Sequence, residues 1–367
     1  MTFPKSIYFL ALVALAVSCV DRNADDDAVL PYVNIILADK ESHEYMLISN
    51  SGEYDRTADV AFLGDSRTAY HYSRRFVEYD KRDNTDAHQK VDGLKDFAGE
   101  TLSCIVDDAS VTDLSDTAAV RAFRINAVRK LLAAMDTLAY ISPYDQEGLV
   151  SKKSSKLVIL GTPDYVHLSS HDFDVLTRRS SSPLQIISPL DLCLESIFAM
   201  RPGKASNVGI ICGPDDKYTE IYAEHFKAKA LEAGSTGSRC IIMPAERSDS
   251  LLYSLLDLYR TTGNMAPLDA VLVDDCALDT DALKLELAEM MSIMNESSTT
   301  YGRMLSPRFK LFDAYEMSVD RCYSILRQTN LFTHNIALPQ SQNFSPIVRS
   351  EESGEKLILI PAAYVQN

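Results

Sequence analysis

The chain reads as an α/β protein with parallel sheets arranged in two lobes. Short continuous apolar runs recur along it: Val60 to Leu63, Leu102 to Val106, Leu157 to Leu160, Leu184 to Ile187, Val208 to Cys212, Cys240 to Met243 and Ala270 to Val273, with a weaker one at Phe309 to Phe312. Runs of this length without alternation suit strands buried on both faces. Helix-length stretches with apolar residues at helical spacing separate them, and repeated βα units imply parallel sheets with right-handed crossovers. Eight such units exceed what one doubly wound sheet usually holds, and 367 residues is a comfortable length for two domains.

Taken in order, the first segment is a leader. Lys5 precedes an apolar run from Ile7 to Val17, which is shorter than the roughly 20 residues a membrane-spanning helix needs and suits the core of a signal peptide. It ends in Ala16-Val17-Ser18-Cys19, which resembles a bacterial lipoprotein box and departs from it at Ala16, where Leu is usual. The resemblance implies cleavage after residue 18, lipidation of Cys19 and anchoring of the chain in the cell envelope. Residues 19–57 then read as an acidic tether, with Asp25-Asp26-Asp27, followed by a lead-in hairpin around Tyr32 to Leu37. Residues 58–188 form the expected N-terminal lobe. A crossover occupies 189–204, a C-terminal lobe 205–300, and a final βα unit with a return to the first lobe 301–367. Helices are expected over Thr68 to Tyr79, Thr117 to Met135, Leu190 to Met200, Asp216 to Ala233 (closed by Gly234), Asp281 to Met294 and Met317 to Leu331.

Composition excludes several classes. With 52 acidic against 36 basic side chains the net charge is −16, so a nucleic-acid partner is not expected. Cys104, Cys193, Cys212, Cys240, Cys276 and Cys322 form no Cys-x-x-Cys pair, which leaves zinc and redox readings without support. Gly-rich phosphate loops are absent from the sequence, and no cofactor is expected. His167 and His171 stand four apart but lack the Glu of a zinc-protease helix, so no metal site is assigned.

Ligands of open α/β sheets collect at the carboxyl ends of the strands. Those ends carry Gly64-Asp65-Ser66-Arg67-Thr68, Asp107-Asp108, Gly161-Thr162-Pro163-Asp164, Gly213-Pro214-Asp215-Asp216, Pro244-Ala245-Glu246 and Asp274-Asp275. Such residues hold hydroxyls or amines, and they equally serve as helix N-caps. Asp65, Ser66, Arg67 and Asp108 from the first lobe, with Asp215, Asp216, Asp274 and Asp313 from the second or its edge, are the candidate ligand contacts. Arg67 is the only cation among them, fitted either to a ligand carboxylate or to holding these aspartates ionised.

The stretch Asn207 to Gly234 resembles the opening βα unit of the C-terminal lobe in type I periplasmic binding proteins, and Phe312 to Gln340 resembles the final strand and helix of that family and its lac-repressor-like relatives. The match rests on pattern and order, with a charged insertion at 80–100 and Ser318 where Gly is usual. It implies two Rossmann-like lobes closing on a small ligand such as a sugar, polyol, amino acid or nucleoside, for delivery to a membrane transporter or sensor, and a binding protein rather than an enzyme. A rival resemblance is to GDSL/SGNH serine esterases: Gly64-Asp65-Ser66 as the nucleophile block and Asp164-x-x-His167 as the remainder of a triad. Against it, no Gly-x-Asn-Asp block lies between them.

The lipoprotein expectation has a direct test. Metabolic labelling with a tagged fatty acid is expected to mark the wild-type chain and to be lost in Cys19→Ser; equal labelling of both would count against it.

Overall fold

The computed structural model describes residues 29–51, 55–82, 90–214, 216–245, 250–264, 266–296, 301–351 and 354–362. The leader, the acidic tether and Cys19 lie outside them. Among the described residues no helix is long and apolar enough to cross a membrane.

The expected lead-in hairpin is instead a pair of helices, α1 (Pro31–Ala38) and α2 (His43–Ser49). Pro31 pre-sets the first turn of α1, and the Ser42 side chain caps α2 by accepting from the Tyr45 N–H at 3.2 Å. The apolar positions that looked alternating are helical: Val33 and Ile36, three apart, are the buried pair of α1.

The first sheet has the order β12 (Gly354–Pro361), β11 (Gln340–Glu351), β2 (Thr101–Val106), β1 (Asp59–Gly64), β5 (Ser155–Leu160), β6 (Gln185–Ile187). Its centre is β1 (Asp59–Gly64), parallel to β2 (Thr101–Val106) and β5 (Ser155–Leu160), with Val60 opposite both Leu102 and Leu157. All six residues of β1 and of β5 are buried, as the unbroken apolar runs require. Helix α3 (Ser66–Glu78) follows β1, and α4 (Thr117–Met135) follows β2. A two-stranded pair, β3 (Leu138–Ala139) with β4 (Val150–Ser151), precedes β5; α5 (Ser170–Arg179) and β6 (Gln185–Ile187) complete the unit. Helix α6 (Pro189–Ala199), capped by Ser188, leads out of it.

A separate sheet follows, parallel throughout and ordered β10 (Leu305–Asp313), β9 (Leu268–Asp274), β7 (Asn207–Cys212), β8 (Arg239–Pro244). It comprises β7 (Asn207–Cys212), β8 (Arg239–Pro244), β9 (Leu268–Asp274) and β10 (Leu305–Asp313), with α7 (Thr219–Glu232), α8 (Leu251–Thr261) and α9 (Thr280–Glu296) between them. Helix α10 (Ala314–Gln328) then carries the chain back. The long antiparallel pair β11 (Gln340–Glu351) and β12 (Gly354–Pro361) joins the first sheet at the free edge of β2. Two α/β units with parallel sheets are therefore present, as the apolar runs predicted.

The two units share apolar packing. Val208, Ile210 and Cys212 on one face of β7, with Tyr222 and Phe226 of α7, belong to the same buried cluster as Phe62, Leu157 and Leu194. The opposite face, with Ile211 and Val273, packs on Leu252 and Leu255 of α8 in a second cluster. Helices α6 and α10 contribute to this shared cluster through Leu194, Ile197, Val319 and Cys322.

Candidate functional site

Parallel strands all point their carboxyl ends the same way, so each lobe gathers its βα turns on one rim. In this structure the two rims face each other. The turns after β1, β5, β7 and β9 line an inner pocket of about 30 Å³, together with Tyr218 and Tyr222 from the second lobe and Tyr315 from α10.

Local sequence explains how the walls are made. Asp65 caps α3, accepting from the Thr68 N–H at 2.7 Å and the Thr68 hydroxyl at 2.8 Å. Its other oxygen lies 3.7 Å from Lys217 Nζ and accepts a long hydrogen bond, 3.5 Å, from the Tyr218 hydroxyl. Gly161 ends β5 because a Cβ there would lie 2.0 Å from the Phe62 ring, and a Cβ at Gly213 would lie 3.0 Å from Arg67 Nη1. The Tyr315 hydroxyl donates to the Gly161 carbonyl at 3.0 Å. Asp274, the last residue of β9, is fully enclosed and accepts from the Tyr222 hydroxyl at 2.8 Å.

Burial dominates the electrostatics. It pushes the Asp274 carboxyl up to about 7; the Tyr222 hydrogen bond opposes the rise, and Asp275 and Asp313 nearby reinforce it. It pushes Asp164, behind the pocket wall, up to about 6 against the hydrogen bonds from the Thr162 hydroxyl and the Tyr165 N–H. The phenols of Tyr222 and Tyr315 are raised well above their ordinary value, burial again leading, so both stay protonated donors. Burial disfavours the charge of Arg67, but Asp275 outweighs it and the guanidinium is held more firmly charged than usual. Arg67 reaches across the seam, with Nη2 at 2.8 and 2.9 Å from the two carboxylate oxygens of Asp275.

Of the residues expected to bind a ligand, Asp65, Arg67 and Asp274 line this pocket. Ser66 does not: it is exposed, and its N–H donates to Asp108 Oδ1 at 2.8 Å, so Asp108 positions the start of α3. Asp313 caps α10 through the Tyr315 and Glu316 N–H groups and pairs with Arg75 at 2.8 Å, on an outer groove. Asp215 lies outside the described residues, and Asp216 opens the short turn Asp216–Tyr218. Sequence reasoning missed Tyr218, Tyr222 and Tyr315. The spacing of Tyr218 and Tyr222, four apart just after a strand end, was the available signal.

The esterase triad is not assembled. Asp164 is engaged by Thr162 and Tyr165. His167 sits on a π-helical segment, Tyr165–Ser169, with its ring edge-on to His225 at 5.6 Å, and burial lowers its pKa. Among the described residues no hydrogen bond joins His167 to Ser66 or to Asp164, and no cluster of metal-ligating side chains is formed.

No protein-family model and no curated relative matches the sequence. Similar solved structures include a glutamate racemase isoform from Bacillus anthracis (9% identity, TM-score 0.45, covering 78% of this chain and 88% of that one). Another is the Francisella tularensis glutamate racemase in complex with D-glutamate (11%, TM-score 0.43, 79% and 88%). A third is the maleate isomerase of Pseudomonas putida (10%, TM-score 0.37, 74% and 93%). The similar structures are racemases and an isomerase, so the expectation of a type I periplasmic binding protein is corrected, and the solute-delivery role and the preference for a non-enzyme, which rested on that resemblance, fall with it. The serine-esterase alternative is corrected by the unassembled triad. Likeness at this level extends to the fold alone, and the chemistry rests on the pocket's own residues.

Asp274 gives a stability prediction. Its pKa is raised from 3.8 to about 7 on folding, so the folded chain holds that proton more tightly than the unfolded chain. The contribution is complete below the unfolded value and is lost as pH rises through the folded one. Its size is on the order of a few kcal/mol. Urea unfolding is expected to show Asp274→Asn gaining stability relative to wild type as pH rises from about 4 to 8. A difference that does not change with pH would contradict the assignment.

Proposed function

We propose that the inner pocket is an acid–base centre that moves a proton on a small polar substrate, as a racemisation or an isomerisation requires. One observation carries this reading: a buried carboxyl, Asp274, with its pKa brought to about 7, shares a pocket with a second carboxyl, Asp65, contributed by the other lobe. A proton-transfer group works best when its pKa lies near the working pH. A carboxyl on each lobe, facing one pocket, is what removal of a proton and its return to another position need.

The lining supports proton transfer over covalent catalysis. Among the described residues that line the pocket there is no Ser, Cys or His. The Thr68 and Thr162 hydroxyls are both donated to carboxylates. In the proposed step, ionised Asp274 takes the proton from a carbon next to a carbonyl or carboxyl group. The C–H electron pair moves into that group as an enolate, and a proton is then returned to carbon. Tyr222, already bonded to Asp274, holds the carboxyl in one orientation. At about 30 Å³ the pocket is near the volume of one water, so substrate entry requires the rims to part.

The test is solvent deuterium incorporation into a panel of amino acids, 2-hydroxy acids and 2-oxo acids, followed by NMR. At least one member is expected to exchange, with Asp274→Asn slowing exchange by roughly 100-fold or more. Tyr222→Phe is expected to move the pH profile. Exchange that is undiminished in Asp274→Asn, or absent across the panel, would overturn the reading.

A further inference from the structure

Arg67 is the one cation among the described residues that line the inner pocket. Its guanidinium is only partly used. Nη2 meets both oxygens of Asp275, an end-on contact through a single nitrogen. Among the described residues no acceptor is bonded to Nε or Nη1, and the side chain keeps about a third of its surface exposed (34%). Nη1 lies against the turn after β7, where the missing side chain of Gly213 leaves it room.

The pair also has a particular place in the molecule. Inward of it lies the pocket of about 30 Å³; outward lies a groove of about 580 Å³ lined by His71, Arg75, Cys276 and Leu278. Arg67 lines the inner pocket, one helical turn before His71 of the groove, and its partner Asp275 stands in the chain between Asp274 of the pocket and Cys276 of the groove. The ion pair joins a residue of the first lobe to one of the second.

We propose that Arg67 is the anchor for a carboxylate of the substrate, and that Asp275 occupies this anchor until substrate replaces it. The inference rests on the proton-transfer reading above and adds the charge and shape of the substrate. A guanidinium presents parallel donors that match the two oxygens of a carboxylate. Asp275 cannot use that fork, because its side chain is fixed at the end of β9 and its Oδ1 also accepts from the Ala277 N–H at 3.0 Å. A free carboxylate has no such tether and can take the fork side-on. The remaining wall is compatible with an anion: the tyrosines are neutral donors, Asp65 is already engaged by Thr68, Tyr218 and Lys217, and the raised pKa of Asp274, about 7, reduces its negative charge near neutrality. Exchange of Asp275 for substrate breaks an interlobe pair at the mouth of the pocket, which couples binding to opening.

The probes are succinate, its neutral counterpart succinamide, and inorganic phosphate, with binding to the full chain read by calorimetry and thermal shift. Succinate is expected to bind and succinamide not. Asp275→Asn removes the internal competitor and is expected to tighten succinate by roughly tenfold, while Arg67→Lys, which keeps the charge and loses the fork, weakens it by a similar factor. Arg67→Gln leaves Asp275 buried without its partner, so the double variant Arg67→Gln/Asp275→Asn carries the decisive comparison and is expected to fold and not to bind. Succinate binding equally to wild type and double variant, no binding to wild type, or phosphate binding as tightly as succinate would each overturn the proposal. Succinate bound through Arg67, with deuterium exchange indifferent to Asp274, would leave the anchor standing and remove the proton-transfer reading; the converse result would remove the anchor alone.

Discussion

Everything in the site depends on the burial of carboxyl groups at the ends of parallel strands. A central strand such as β9 is enclosed on both faces, with all seven of its residues buried, and it delivers Asp274 into a place where an ionised carboxylate loses most of its hydration. One hydrogen bond from Tyr222 compensates for only part of that loss, so the group keeps its proton to a higher pH. Asp164 at the end of β5 follows the same logic with two donors and a smaller rise. The fold supplies the low-polarity setting, and the nearby donors set how far each acid moves.

Ion pairs hold part of the seam between the lobes. Arg67 pairs with Asp275 and Arg75 with Asp313, both at 2.8 Å, and Lys81 reaches Glu316 on α10. The aspartates of the first two pairs are almost wholly buried, whereas their arginines keep part of their surface in water. Removing either arginine would strand a buried charge, which costs more than the pair itself contributes. Helices α6 and α10 also contribute apolar residues, among them Leu194, Ile197, Val319 and Cys322, to the core that the two units share.

Much of this was legible in the sequence because burial on both faces leaves a plain signature. Val60 to Leu63, Leu157 to Leu160 and Ala270 to Val273 could scarcely be anything but central strands, and βα polarity then placed Asp65, Arg67 and Asp274 on a common rim. Other parts left weaker traces. Residues 31–38 carry a run of β-formers whose buried members, Val33 and Ile36, are three apart, so helix spacing was hidden by alternation. Strand β11 contains Pro346 and polar residues on both sides, which reads poorly as a strand until β12 pairs with it. Asp313 and Asp108 are caps and pair formers, a role that their position in the chain could not separate from ligand binding. Tyr222 and Tyr315 lie in the first turns of buried helices, where a tyrosine is usually core, and only the tertiary structure turns their hydroxyls toward Asp274 and Gly161. Ser66 and His167 match a catalytic pattern in order and spacing, yet α3 turns Ser66 outward and the π-helical turn after β5 directs His167 to His225.

The central claim is that Asp274 is a carboxyl poised to gain or lose a proton near neutrality. Infrared difference spectroscopy of wild type against Asp274→Asn, followed across pH, reads that carboxyl directly. The account predicts a protonated carboxyl band that belongs to Asp274 and disappears with a midpoint near 7. A midpoint in the ordinary carboxylate range, below about 5, or no band assignable to Asp274, would contradict it.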